Sequence, residues 1–335
     1  MINKIYEKIK LFIKHNIKFL ITIFLLFFLT FFKLPYYIDA PGGLINVNDK
    51  IKIENSNEIN GSINLAYVSE LKATIPVYLY ALINKDYDIV KLDEIKYDNE
   101  TVEEALYRND LLLKESINNA TLVAFKKAGK TVNIINNKIY VTHIEDKNTT
   151  DLKIGDQIIK IDSTPIFNKE QLYNILSNYK ENDEIKITVI NNQQEYIRTA
   201  KMKKLNDRIV IGILISELYD LNTVPNIQFN FDKSETGPSG GLMLSLAIYD
   251  YLTNEDIARN RKIVGTGTID SDGKVGSIGG VKYKLKGAVK NKADIFIVPD
   301  GENYEEVMKL VNENNYNIKI IKAITIDNVI EELKK

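Results

Sequence analysis

The alternation of apolar and polar positions changes period several times along this chain, and the sharpest change is the first. Lys4, Lys8, Lys10, Lys14 and Lys18, against Glu7, punctuate the opening segment. Phe19 to Phe32 then runs apolar, broken only by Thr22 and Thr30. That run is shorter than the ~20 residues a helix needs to cross a bilayer. Ile17, Leu34, Tyr36, Tyr37 and Ile38 lengthen it, Lys18 and Lys33 can snorkel, and tyrosines suit the interface. The pattern predicts a basic tail over 1–18 and a transmembrane anchor over 19–38. No A-x-A site follows the run, which favours an uncleaved anchor over a signal peptide. The lysine excess puts the tail in the cytoplasm and everything after Asp39 outside the cell.

Ala40-Pro41-Gly42-Gly43 reads as a turn leaving the membrane. Short alternating runs over 44–69 predict strands (Ile51-Lys52-Ile53; Ile63 to Val68). Residues 73–84 and about 101–128 read as helices, the second opened by a Thr101/Glu104 capping box. Together 39–130 form a juxtamembrane α/β region. Residues 131–204 make a β-rich unit: a strand at Ile139–Thr142, the run Asp151 to Asp162, a helix over Asn168–Tyr179 and a strand over Glu184–Val189. This order, with its Leu152-x-x-Gly155-Asp156-x-Ile158 core, resembles a bacterial PDZ domain. The resemblance implies capture of an extended peptide at a sheet edge, with the binding loop near Asn136-Asn137-Lys138-Ile139, where asparagines stand in place of the usual glycine. From 205 to 335 strands and helices alternate: strands at Ile209–Ile215, Ile263–Ile269, Asp294–Val298 and Ile318–Ile321, helices at Leu242–Leu252, Val281–Asn291 and Tyr304–Asn314. That alternation argues an α/β domain. Leu242–Leu252 is apolar nearly all round and should be buried.

Composition narrows the chemistry. With 335 residues there is room for two compact domains. The net charge of −1 gives no general attraction to nucleic acid. Cysteine is absent, so a thiol nucleophile, disulfides and a Cys-based zinc site are excluded. Only His15 and His143 exist, which disfavours a Ser-His-Asp triad. Gly129-Lys130-Thr131 is not a nucleotide loop, because position 124 is Ala where that loop needs Gly.

Thr236-Gly237-Pro238-Ser239-Gly240-Gly241 places a serine at the mouth of a buried helix. Glycines let a substrate approach the backbone, and a helix N-terminus offers free amides and partial positive charge to an oxyanion. The same residues would also suit an ordinary helix cap. A serine without histidine needs another base, and lysine is the candidate. On the Val281–Asn291 helix, Val281, Leu285, Ala288 and Val289 share one face. Lys282 falls at one edge of it and Lys284 at the other, while Lys286 and Lys290 turn toward water. Helical angles leave the choice between Lys282 and Lys284 open.

Gly237-Pro238-Ser239-Gly240-Gly241, then Gly265-Thr266-Gly267-Thr268-Ile269, then Gly273-Lys274-Val275-Gly276-Ser277-Ile278-Gly279-Gly280-Val281-Lys282 resemble the proteolytic domain of the Lon family. The resemblance implies Ser239 as nucleophile, Lys282 as general base, Thr266 orienting the lysine, and backbone amides of Ser239 and Gly240 as the oxyanion hole. Lon proteases usually carry an acidic residue at the position of Thr236 and Ala at that of Gly240; Glu235 lies one place away. With the anchor and the PDZ-like unit, the whole resembles bacterial membrane-anchored PDZ/Lon-like peptidases of the YlbL or SepM type. The expectation is an α/β (α+β) Lon-type proteolytic domain, a small β-rich PDZ-like domain and one transmembrane helix. The implied activity is ATP-independent serine endopeptidase action on exported peptides or proteins outside the cell, with no metal, organic cofactor, nucleotide or nucleic acid. Two other readings compete: an inert membrane-tethered PDZ adaptor and a signal-peptidase-like Ser-Lys enzyme, which lacks this glycine-framed lysine motif.

Overall fold

A computed structural model describes residues 2–91, 96–97, 100–205 and 208–335. Parts of the expected juxtamembrane region (92–95, 98–99) and of the expected third unit (206–207) lie outside the described residues. The chain divides into two units, 1–41 with 68–95, and 42–67 with 96–335, and the division falls within two long strands, Lys33–Asn46 and Gly61–Thr74.

The first unit opens with one helix, Ile2–Phe31, of which Lys4–Phe31 is long and apolar enough to cross a membrane. The helix ends earlier than the expected span. Leu34, Tyr36 and Ile38 lie in a strand instead, with Ile38 fully buried against Ala73 and Ala81. Alternation of apolar residues over 34–38 has the strand period of two, which the length argument overrode. Nor is there a turn at Ala40–Gly43: these residues continue the strand. Its glycine has a packing reason, since a Cβ on Gly42 would run into the Tyr67 carbonyl. The expected helix at 73–84 is Ile75–Ile83, with Pro76 in its first turn.

In the second unit four parallel strands lie side by side in the order Lys319–Ala323, Ile295–Pro299, Arg261–Gly265, Gly61–Leu65. Side chains alternate between the two faces. Ile263, Ile295 and Ile297 pack on one face with the helices Gly241–Leu252, Val102–Lys127 and Ile326–Lys334. Val264, Phe296 and Val298 pack on the other with Val281–Lys290 and Glu302–Asn314. Residues 61–65 thus belong to this α/β layer rather than to a separate juxtamembrane region.

A second sheet carries the middle of the chain in the order Ile213–Val224, Thr131–Ile144, Gln157–Ile161, Glu184–Asn191, Gln194–Lys201. The helix Lys169–Leu176, capped by the Asn168 side chain, closes a separate core of Ile139, Ile158, Leu172, Ile185 and Ile187. Ile213–Val224, expected in the third unit, pairs along its length with Thr131–Ile144. The expected loop at Asn136–Ile139 is therefore the middle of a strand. Pairing with a segment about 80 residues away is not visible in local pattern, and propensity favoured a turn for two asparagines.

Candidate active site

The serine and lysine helices lie on opposite faces of the parallel sheet, and the strand Arg261–Gly265 ends between them. Gly265 leaves no room for a side chain: a Cβ there would lie 2.6 Å from Met243 Sδ on the serine helix and 2.8 Å from Ile297 Cβ on the neighbouring strand. The next residue, Thr266, is fully buried. Residues that chemistry needs from two faces thus meet at the carboxyl end of a central strand, as in open α/β sheets generally.

Ser239 sits half-buried one residue before Gly240, the cap of Gly241–Leu252. Its loop is held at several points. The Gly237 amide donates to Asn109 O at 3.0 Å, and Ser116 Oγ donates to Pro238 O at 3.1 Å. The Ser239 carbonyl accepts from the Gly267 amide at 2.8 Å and from Thr266 Oγ1 at 3.1 Å. Gly237 has φ +90°, open to glycine without strain. Among the described residues, the amides of Ser239 and Gly240 donate to no protein acceptor. Glu235 turns aside into an ion pair with Lys50 at 2.9 Å.

The lysine beside Thr266 is Lys284. It is 4% exposed, and its Nζ donates to Thr266 Oγ1 at 3.2 Å. Burial away from water disfavours the ammonium and pulls its pKa from 10.5 to about 8. The expected base, Lys282, is half-buried on another side of the helix, its Nζ 4.8 Å from the centre of the Tyr283 ring. Residues i and i+2 of a helix are about 160° apart around its axis, so the two lysines face nearly opposite ways. The buried arc includes Tyr283, Lys284 and Gly287 as well as Val281, Leu285 and Ala288. Gly287 packs against another part of the backbone: a Cβ there would lie 2.9 Å from Gly42 O. A glycine inside a helix is a packing signal, and weighting it would have turned the inferred face toward Lys284. Of the two lysines, the geometry brings Lys284 and not Lys282 to Thr266.

A cavity of about 300 Å³ lies beside the Ser239 loop, lined by Leu112, Ser116, Asn119, Pro238, Ile269 and Lys274. A larger groove of about 890 Å³ runs between the Lys169–Leu176 helix and the segment 208–215, where Leu172, Leu176, Ile211 and Ile213 form apolar walls and Arg108 lines it too. Its strand, Ile213–Val224, is the last in its sheet, and Gly212 before it has φ +81°. This edge, rather than Asn136–Ile139, is the outer strand of the sheet; the helix Val102–Lys127 covers part of it, where the Glu217 and Tyr219 amides donate to Glu115 Oε1 and Asn118 Oδ1, and the stretch Ile213–Ile215 borders the groove. Leu112 lines both spaces.

Residues 232–335 match the model of the Lon protease (S16) C-terminal proteolytic domain. This segment is similar to a Lon-type proteolytic domain. The Lon protease of Campylobacter jejuni is 29% identical over 185 residues, which cover 53% of this chain and 22% of that protein. The Lon protease of Clostridium acetobutylicum is 32% identical over 95 residues, covering 28% of this chain and 12% of that protein. The chain therefore spans about a fifth or less of the length of these relatives. The PDZ domain of an SdrC-like protein from Listeria monocytogenes aligns with 23% of this chain and 85% of its own length, at 20% identity and a TM-score of 0.22. The Listeria innocua counterpart aligns with 23% of this chain and 92% of its own length, at 20% identity and the same score. The matched segment contains Ser239, Thr266, Lys282 and Lys284 alike, so the match does not choose between the lysines; of the two, Lys284 is the buried one and contacts Thr266.

Proposed function

We propose that this protein is an ATP-independent, membrane-anchored serine endopeptidase in which Ser239 is the nucleophile and Lys284 the general base. The observation that carries the reading is the hydrogen-bond chain from Lys284 Nζ through Thr266 Oγ1 to the Ser239 carbonyl. With a pKa of about 8, roughly one Lys284 in ten is neutral at pH 7. A neutral amine that gives one N–H to Thr266 keeps its lone pair for the Ser239 hydroxyl. Ser239 Oγ attacks a peptide carbonyl as its proton passes to Lys284. The developing oxyanion takes hydrogen bonds from the Ser239 and Gly240 amides. Lys284 then protonates the leaving amine, and water, deprotonated by the same lysine, releases the acyl group. No step draws on a nucleotide or a metal.

The groove beside Ile213 is the proposed docking place for a peptide segment, added as a further strand to the sheet edge. The catalytic unit is proposed to work outside the cell, on exported peptides or proteins, with the lysine-rich end of the first helix in the cytoplasm. The test is cleavage of an unfolded model polypeptide by the full chain in detergent without nucleotide, with a fluorophosphonate probe as a second readout. Wild type should cleave and acquire the label at Ser239. Ser239→Ala should do neither while binding peptides in the groove normally. Peptide binding without cleavage or label by wild type would favour the inert adaptor.

A further inference from the structure

The helix Ile75–Ile83, Ile-Pro-Val-Tyr-Leu-Tyr-Ala-Leu-Ile, contains no charged residue. Its inner side is accounted for: Val77, Tyr78 and Ala81 pack against Leu34, Tyr36 and Ile38 of the strand that follows the first helix. Its outer side is equally apolar and uncovered. Leu79, Leu82 and Ile83 are 56%, 60% and 82% exposed. A helix apolar all round belongs in an apolar surrounding, either a protein core or a bilayer. Lys72 and Lys85 flank it, and Tyr80 stands on the outer side, 50% exposed, a residue type enriched where hydrocarbon meets headgroups.

Its place in the chain says which surrounding it meets. The helix packs against the apolar first helix, and its inner side rests on Leu34 and Tyr36, three and five residues past the end of that helix at Phe31. At about 3.3 Å per residue the strand travels no more than ~10 to ~17 Å over that distance. The headgroup layer on each side of the hydrocarbon is about 5 to 8 Å deep. A helix held that close to the exit of a membrane span has the interface within reach of its outer face.

We propose that Ile75–Ile83 lies in the outer membrane–water interface with Leu79, Leu82 and Ile83 in lipid, giving the chain a second membrane contact besides its span. The proposal rests on the reading of Lys4–Phe31 as a spanning helix. Two contacts restrict rotation about the span, so the lipid-bound helix would orient the unit to which it belongs relative to the membrane plane.

The chain has no cysteine, so single-site labelling of the full chain is direct. Ile83→Cys, Leu25→Cys and Glu313→Cys, each carrying an NBD fluorophore, are reconstituted into phosphatidylcholine/phosphatidylglycerol vesicles containing lipid with a nitroxide at a shallow or a deep acyl position. Ile83, Leu25 and Glu313 are all exposed in the fold, so labels there do not disturb a core. The expected result is at least twofold stronger quenching of the Ile83 label by the shallow nitroxide than by the deep one. The Leu25 label should show the reverse order, and the Glu313 label no quenching by either. An Ile83 label as unquenched as that at Glu313, with Leu25 quenched, overturns the proposal and leaves the span intact. An Ile83 label shielded from water yet unquenched by both lipids assigns the face to a second protein surface and also overturns it. A Leu25 label unquenched by both lipids removes the span and the proposal with it.

Discussion

Replacing Lys284 by methionine separates the catalytic role proposed for this amine from its effect on folding. In the folded chain the Lys284 pKa is about 8, against 10.5 when solvated. The folded state therefore binds the Lys284 proton more weakly than the unfolded state does. Below pH 8 this difference opposes folding by about 3 kcal/mol, at ~1.4 kcal/mol per pH unit of pKa difference. As pH rises from 8 to 10.5 the unfolded chain still carries the proton that the folded one has lost, so stability climbs and the penalty vanishes. Methionine fills much the same volume and has no proton to lose. Lys284→Met should thus be more stable than wild type at pH 7, by up to about 3 kcal/mol less about 1 kcal/mol for the lost Thr266 hydrogen bond. The gap should shrink steadily between pH 8 and 10.5. Peptide cleavage should be lost at every pH. Urea unfolding of the full chain in one detergent, followed through its 19 tyrosines in the absence of tryptophan, measures the gap; a peptidase assay gives the rest. Lys282→Met, run alongside, should keep activity within a few-fold and show no such pH-dependent gap. A stability difference for Lys284→Met that stays constant from pH 7 to 10.5, or loss of activity in Lys282→Met rather than Lys284→Met, would refute the reasoning.

Other outcomes follow from the same geometry. The kcat/KM of wild type should rise about tenfold per pH unit below pH 8 and level off above it, because the base must be neutral; a profile flat from pH 6 to 9 would speak against Lys284. Thr266→Val, which keeps shape but removes the hydroxyl between Lys284 and the Ser239 carbonyl, should lower kcat by 10- to 100-fold and stability by about 1–3 kcal/mol, with KM little changed. Gly241→Ala puts a Cβ 2.7 Å from Ser116 Oγ and 3.1 Å from the Ile269 backbone nitrogen, and should cost about 1–3 kcal/mol in urea unfolding. Gly240→Ala meets only the end of the Leu65 side chain, at 2.9 Å, and should fold and cleave nearly as wild type does.

Much of this protein was legible in local pattern. The Thr101/Glu104 capping box is present as expected and opens Val102–Lys127, and the buried run after Ser239 is the helix Gly241–Leu252. Both depend on short-range rules: side-chain caps satisfy neighbouring amides, and an all-apolar helix needs a core. Likewise Gly237-Pro238-Ser239-Gly240-Gly241 placed a serine at the mouth of that helix without coordinates. Three matters were decided elsewhere. The strand Ile213–Val224 joins the middle sheet because its partner is Thr131–Ile144, a long-range choice that pairing energetics makes and periodicity does not encode. The apolar run after Lys18 is followed by a strand at Lys33 because Ile38 is buried against Ala73 and Ala81, distant in sequence. Between two lysines of one helix, the sequence alone supplied both candidates and the chemistry they could perform. Which of them is dehydrated depends on how far the helix is rotated against the sheet, and the rotation that buries Val281, Leu285 and Ala288 also brings Gly287 close to Gly42. Desolvation is a property of the assembled surroundings, so only the tertiary structure could give Lys284 the lowered pKa that a base requires.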